Sequence, residues 1–479
     1  MNRWYAFAGG AAIVLVMTAA CMRVGPAYQK PDIGVPIPDR YTQAGLPATA
    51  ATVPDRWWTD FADPVLNNLV EQALSYNWDI KRAAARILEV ESAVTQSRSA
   101  RFPALKIQAQ GTRQRISAVS SFGPRETKGY SLSFPATFEL DLWERLASEE
   151  KSARARLVEA VENRRTLLQS VVAQTVTFYL QIQALQRRTR IASSMVESYR
   201  RTLAVVENRY RQGLNGVLDV KQARRGLAQA EALVPELQRD LGAVQHKLSV
   251  LLGRYPQSRP AQGQPQDHTR HLVPVPPGLP SELLLRRPDI RAAEARLRAL
   301  NAQVAAAKAA RFPQVTLTGS LGYSSEALGA LFTPESRLWS LALGLVQPLF
   351  DAGRRQAAQS AAEARYRQGI SDYAKTVLNA FAEVEQALLA RKVLWERRES
   401  LQRLFAEARS ACTVAQERYR RGLTDYLSVL TLEQRCLKAE QDVVLADLAV
   451  LTNRVTLYRA LGGGWREPGV VSRQNEDQR

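Results

Sequence analysis

The stretch Tyr130-Ser131-Leu132-Ser133-Phe134-Pro135-Ala136-Thr137-Phe138-Glu139-Leu140-Asp141-Leu142 decides how the rest of the chain is read. Its even positions are aromatic or aliphatic, while Ser131, Ser133, Thr137, Glu139 and Asp141 hold odd ones. Successive side chains of a strand point to opposite faces, so this is one apolar and one polar face over an unusually long run. Upstream, Leu105, Ile107 and Ala109 alternate with Lys106, Gln108 and Gln110. Later, Val315, Leu317, Leu321 and Tyr323 alternate with Thr316, Thr318 and Ser320, and Leu341, Leu343 and Leu345 with Ser340, Ala342 and Gly344. The pattern predicts two β-hairpins, at about 104–142 and about 314–350. Strands of about 9–11 residues with these two faces fit a membrane barrel with lipid outside and water inside. A half-buried soluble sheet shows the same alternation. Four strands do not close a barrel, and hydrocarbon does not tolerate open edges, so several chains must share one; three copies would give twelve strands.

The hairpins belong to a duplication. Ala100-Arg101-Phe102-Pro103 returns as Ala310-Arg311-Phe312-Pro313, and Asp79-Ile80-Lys81 as Asp289-Ile290-Arg291, both at an offset of 210. Arg209-Tyr210-Arg211-Gln212-Gly213-Leu214 returns as Arg418-Tyr419-Arg420-Arg421-Gly422-Leu423. Ordered tokens at one period mean one structural unit used twice. Between the copies, Pro256, Pro260, Pro265, Pro274, Pro276, Pro277 and Pro280 prevent helix and mark a linker. Around each hairpin the sequence is rich in Ala, Leu, Glu, Gln and Arg, the strong helix formers, with no Pro or Gly from 145 to 211. One helix of that length spans about 100 Å, and the shorter stretches near 64–99 and 217–252 about 54 Å each. The second copy repeats the arrangement near 281–310, 354–421 and 425–461.

The first residues set the compartment. Arg3 precedes an apolar run from Trp4 to Met17, and Thr18, Ala19 and Ala20 lead into Cys21, the pattern of a cleaved export signal. Ala19-Ala20-Cys21 looks like a bacterial lipobox, with Thr18 where such boxes usually carry Leu, and makes Cys21 the candidate lipidation site. The run is too short for a spanning helix, which needs about 20 apolar residues. The division that follows is a signal peptide 1–20, a lipid-anchored N-terminal segment 21–60, a first repeat 61–254, a Pro-rich linker 255–280, a second repeat 281–462 and a tail 463–479. At 46% apolar and 23% charged, the chain is able to bury a large core, which excludes wholesale disorder. The net charge of +19 rests on 54 Arg and 11 Lys, and export removes nucleic acid as a partner. Three His and three Cys, without CxxC or HExxH spacing, exclude a zinc framework. The absence of GxSxG, a P-loop or a nucleophile–base pair leaves no catalytic residue and no cofactor site, so no enzyme is expected.

Further tokens carry a family resemblance: Val24-Gly25-Pro26-Ala27-Tyr28, Gly278-Leu279-Pro280-Ser281 with Arg286-Arg287-Pro288-Asp289-Ile290, Phe350-Asp351-Ala352-Gly353-Arg354, and Leu457-Tyr458-Arg459-Ala460-Leu461-Gly462-Gly463-Gly464-Trp465. Through them the chain resembles the TolC-type outer-membrane factors, in the lipoprotein branch that serves resistance-nodulation-division efflux systems, from about Cys21 to Trp465. The resemblance implies a mainly α-helical protein with a membrane β-barrel portion. It would be a homotrimer whose twelve-stranded barrel, in outer-membrane lipid, continues into a twelve-helix periplasmic tunnel. The implied partners are a periplasmic adaptor (membrane fusion) protein and an inner-membrane resistance-nodulation-division transporter. The implied function is a passive export duct of a tripartite efflux or secretion system. A periplasmic coiled-coil rod or adhesin without a channel is the alternative from another class.

The resemblance also implies site roles. Gly213, Leu214, Gly422 and Leu423 would form the turns that an adaptor grips, and Arg418, Tyr419, Leu427, Ser428 and Thr431 would surround the periplasmic aperture, with Arg418 holding a neighbouring chain. By position alone, Gly213 and Gly422 read as helix C-caps. Two departures from the family pattern stand out: Glu144 replaces a frequent Gly before Arg145, and Thr431 and Gln434 replace a frequent acid and a frequent Arg. Asp219 and Glu433 are the candidate offsets to the cations around the mouth. Cys412 and Cys436 stand at equal distances from residue 424. Helix spacings of about 8–10 Å against a disulfide limit of about 7 Å make free buried thiols the expected state. His268 and His271, in the linker, are expected to be exposed.

Acylation of Cys21 is testable. Intact-mass analysis of the mature protein should show a lipid-modified N-terminal cysteine, and Cys21→Ser with another signal peptide should abolish lipid labelling while the barrel still inserts.

Overall fold

The computed structural model describes residues 24–32, 34–42, 54–116, 125–256, 268–269, 275 and 280–463. The export signal, Cys21, His271, most of the linker and the tail from 464 onward lie outside these residues. The first repeat runs α1 (Pro64–Tyr76), α2 (Trp78–Ser99), β1 (Ala104–Leu105), β2 (Gln108–Ile116), β3 (Arg125–Leu140), α3 (Arg145–Arg211) and α4 (Val217–Leu251). The second runs α5 (Pro280–Arg286), α6 (Pro288–Ala309), β4 (Gln314–Ser325), β5 (Arg337–Val346), α7 (Arg354–Arg420) and α8 (Tyr426–Ala460). No helix among the described residues is long and apolar enough to cross a membrane.

The chain packs as two units. The first comprises Met1–Gly34, Ala85–Val161 and Ala292–Lys375 and holds the sheet. There β3 pairs with β1 and β2 along one side and with β4 along the other, and β4 pairs with β5, all antiparallel. The register aligns Leu140, Val315 and Leu345 in one cross-strand row, Phe138, Leu317 and Leu343 in the next, and Phe134, Leu321 and Trp339 in another. The opposite face carries Glu139, Thr316 and Gly344, then Thr137, Thr318 and Ala342, then Pro135, Ser320 and Ser340. Within this chain the β5 end of each apolar row is exposed; Leu341, Leu343 and Leu345 are each more than two-thirds exposed.

One strand is shorter than its pattern. Residues 105–110 alternate without interruption, yet the ladder breaks between β1 and β2 in an unchanged register, opposite Pro135. Lys106 N donates to the Pro135 carbonyl at 3.0 Å, but Pro135 has no N–H to return, so half of that pair is missing.

At the strand–helix junction, Asp141 accepts from the Leu146 and Ala147 amides at 3.0 and 2.7 Å and so caps α3. Asp351 does the same for α7 through Gly353 and Arg355. The residue before each helix is left-handed: Gly353 at φ 82° in the second copy and Glu144 at φ 56° in the first. Glu144 therefore adopts a conformation that glycine takes without a Cβ penalty.

The second unit comprises Val35–Ala84, Glu162–Arg291 and Thr376–Arg479. Ala73, Ile80, Leu168, Val171, Ile182, Leu248 and Leu252 form one of its buried clusters. Two stretches that read as single helices are broken. At 64–99 the break is Asn77, whose Oδ1 accepts from the Asp79 and Ile80 amides at 2.9 and 3.1 Å while its Nδ2 donates to the Leu251 carbonyl at 2.8 Å. At 281–310 it is Arg287, which precedes Pro288 and is thereby biased away from helix. Arg287 is buried and bonds Asp289, Glu383 and the Ala460 carbonyl. His268 corrects the expectation of exposure. Its side chain is 3% exposed, with Nε2 3.5 Å from Asp63 Oδ2, because the linker returns at this point to pack beside the N-cap of α1.

The β3–β4 junction tolerates little. A Cβ on Gly322 would lie 2.3 Å from the Leu132 carbonyl oxygen, whereas one on Gly319 would find its nearest neighbour at 3.7 Å. Gly322→Val should cost about 1–3 kcal/mol and reduce recovery in outer membranes, while Gly319→Ala should stay near wild type; urea unfolding in lipid vesicles measures both.

Candidate functional site

The two long helices end in the same way. At the first, Gly213 N bonds the Tyr210 carbonyl and Leu214 N the Arg209 carbonyl, each at 2.9 Å; at the second, Gly422 N bonds Tyr419 at 3.0 Å and Leu423 N bonds Arg418 at 2.9 Å. These are Schellman closures, and they need the positive φ that Gly213 (75°) and Gly422 (76°) supply. An acid holds the start of each next helix: Asp219, in the first turn, accepts from the Gly216 amide at 3.3 Å, and Asp425, at the N-cap, from the Ser428 amide at 2.7 Å. That amide bond holds the Asp425 carboxyl below the usual carboxylate range. Leu214 and Leu423, the residues after each glycine, are mostly exposed, as are Val217 and Leu218 on the first hairpin and, to a lesser degree, Leu427 on the second.

Arg209 joins the two hairpins. Its guanidinium donates to the carbonyls of Tyr419 at 3.1 Å and Arg420 at 3.2 Å, and lies over the Tyr419 ring at 4.8 Å. A cation on the last carbonyls of α7 satisfies acceptors that the helix leaves open. Asn215 Nδ2 donates to the Tyr419 hydroxyl at 2.9 Å, so Tyr419 is buried by the first hairpin of its own chain. Arg209 and Asn215 were missed by sequence reasoning, although the repeat had aligned Arg209 with Arg418. In the other copy the arrangement is open: Arg418 is exposed without an ion pair among the described residues, and Tyr210 is 45% exposed.

Of the other expected aperture residues, Leu427 is exposed, Ser428 is half-buried, and Thr431 Oγ1 donates back to the Leu427 carbonyl at 2.8 Å. Gln434 bonds Gln229 across α4 and α8 at 3.1 Å. Behind the turns lies a core of Val196, Tyr199, Val206, Val220, Ala223, Tyr426, Val429 and Leu430. Glu433 sits in it, 1% exposed, accepting from Gln416 at 2.7 Å. It therefore gives no offset to the exposed cations. Burial pushes its carboxyl above the ordinary value. Among the described residues no group of His, Cys, Asp and Glu is suited to hold a metal ion.

The family model for outer membrane efflux protein matches residues 69–254 and 279–463. The chain belongs to the outer membrane efflux protein family. The cation efflux system protein CusC of Escherichia coli O6:H1 is 31% identical over 456 residues, covering 95% of this chain and 98% of its own. Outer membrane protein OprJ of Pseudomonas aeruginosa is 34% identical over 477 residues, 96% of each. The solved outer-membrane channel OprN superposes with a TM-score of 0.87 at 32% identity, covering 93% of this chain and all of that one. As a member of this family the protein is an outer-membrane channel of tripartite efflux systems that extends into the periplasm, and it is not an enzyme.

The Glu433 carboxyl sets a pH dependence. Its raised value means that folding favours the protonated form, so its contribution is complete at acid pH and is lost as pH rises from the ordinary carboxylate range through the raised one. Glu433→Gln keeps an acceptor for Gln416 and removes the charge. Its thermal stability should match wild type at acid pH and exceed it once the pH has passed the ordinary carboxylate range, in melting curves of the detergent-solubilised protein.

Proposed function

We propose that three copies of this chain close one twelve-stranded barrel and a twelve-helix tunnel, forming a duct whose periplasmic mouth is shut by the turn residues described above. The observation that carries this reading is the sheet: four pairing positions, one apolar and one small polar face, with β2 and β5 left as edges. In hydrocarbon an unpaired backbone group costs several kcal/mol, so those edges require strands from another copy. The two stretches matched by the family model support two structural repeats, 61–254 and 281–462, separated by the linker 255–280 and flanked by the signal peptide 1–20, the segment 21–60 and the tail 463–479. Cys21 anchors the mature chain to lipid.

The tip supports a closure between copies. Within one chain Arg209 covers Tyr419; its repeat equivalent Arg418 is free to do the same for the exposed Tyr210 of the next copy. Tyr419, Leu427, Ser428 and Thr431 lie around that contact, and Gly213, Leu214, Gly422 and Leu423 present the outermost surface to a periplasmic adaptor. Energy comes from an inner-membrane transporter of the resistance-nodulation-division class. Relatives of this chain are described as cation or solvent efflux proteins, and a wide duct need not itself recognise what passes.

Purified protein should run as a trimer in detergent, and a stable membrane-inserted monomer would overturn the architecture. Arg418→Ser combined with Tyr419→Phe removes contacts worth about 0.5–1.5 kcal/mol each and should raise single-channel conductance in planar bilayers, while Leu341→Ile on the apolar sheet face should not. Unchanged conductance in the double variant would place the closure elsewhere.

A further inference from the structure

The apolar face of the sheet ends in cations. Its rows, followed away from the helix junctions, run from Phe134, Leu321 and Trp339 to Leu132, Tyr323 and Arg337, and then to Tyr130 opposite Gly111. On the same face beyond Tyr130, Arg113 stands opposite Lys128 and Arg115 opposite Glu126. Arg113 donates to Glu126 at 2.9 Å, while Arg115, Lys128 and Arg337 are exposed with no ion pair among the described residues. The other face at this level is uncharged: Thr112 stands opposite Gly129 and Gln114 opposite Thr127. Charge that served only to keep a hairpin solvated would have no reason to avoid the water side. The helices extend into the periplasm, so this end of the sheet is the outer one. From Leu140 to Tyr130 a strand advances about 34 Å, which at a tilt of about 40° covers about 26 Å of membrane normal, the height of an outer-membrane apolar band. Tyr130 and the three-quarters exposed Trp339 thus stand where such barrels carry an aromatic girdle, and Arg113, Arg115 and Lys128 lie just outside it. The same tilt displaces a level line by about two rows over three strands, which brings Arg337 of β5 to the height of Arg113 on β2.

We propose that Arg113, Arg115, Lys128 and Arg337 form a binding site on the outer wall of the barrel for a phosphorylated glycolipid of the outer leaflet. The site rests on the reading that three copies close a barrel. Acyl chains lie along the apolar rows, where Leu341, Leu343 and Leu345 are exposed, and the headgroup phosphates meet the cations. Each guanidinium offers a planar fork to two phosphate oxygens, and the Lys128 ammonium adds a point charge. One acid, Glu126, stands among these four cations, so the patch stays positive while Arg113 is held in place. The cations reach from β2 to β5, about 14 Å across the strands, which suits a headgroup with two separated phosphates better than one with a single phosphate.

The test titrates full-length, detergent-solubilised wild-type protein with bisphosphorylated lipid A, with the same lipid stripped of its phosphates, with phosphatidylglycerol and with inorganic phosphate, and follows binding by native mass spectrometry. Bisphosphorylated lipid A should bind saturably, and each of the other three at least about tenfold more weakly. Arg113→Gln, Arg115→Gln, Lys128→Gln and Arg337→Gln combined should weaken lipid A binding at least about tenfold, whereas Lys106→Gln, opposite Pro135 on the other face, should leave it unchanged. Equal binding of the stripped lipid or of phosphatidylglycerol, inorganic phosphate binding as tightly as the lipid, or wild-type affinity in the combined variant overturns the proposal. Single-channel conductance of the same preparations separates the two possible failures. Protein that conducts as a trimer yet ignores the phosphates overturns this site alone; wild-type protein that never forms a conducting trimer overturns the barrel reading, and the site with it.

Discussion

Everything in this molecule depends on what the hydrocarbon demands of a backbone. The β3–β4 ladder, from Tyr130 opposite Ser325 to Leu140 opposite Val315, joins the hairpins of the two repeats into one sheet. It also leaves that sheet with two edges. Water would satisfy the exposed N–H and C=O groups of β2 and β5, but lipid does not. The same sheet places Leu140, Phe138 and Phe134 with their β4 and β5 partners on one face, so its composition suits lipid while its edges do not. That conflict within a single chain is what makes a single chain incomplete.

Duplication supplies the parts, and the two copies differ in how their tip residues are partnered. Both long helices close through the same glycine motif, and both following helices have an aspartate bonding a backbone amide at their start. Yet Arg209 is spent on Tyr419 inside the chain while Arg418 is not spent on Tyr210. A contact that closes within the copy makes a fixed hairpin pair; the equivalent contact left open makes a surface. Polar clasps of this kind are individually weak, each worth about 1 kcal/mol. Beneath the clasp, Glu433 is held in an apolar core by one bond from Gln416, and burial favours its uncharged form.

Much of this was legible in the sequence because it rests on local periodicity. Alternation over 130–142 and 314–345, the helix formers from 145 to 211, and the repeated tokens around Gly213 and Gly422 determine strands, helices, turns and a duplicated plan, since each follows from neighbours a few residues apart. The tertiary structure decided what depends on groups far apart in the chain. Asn77 breaks a helix because the Leu251 carbonyl accepts its amide; β1 parts from β2 because Pro135 on the facing strand has no proton to give; His268 is buried because the linker returns to Asp63. Arg209 reaches across more than 200 positions to Tyr419. Periodicity says which face a side chain takes, but the identity of the partner on that face is a property of packing alone.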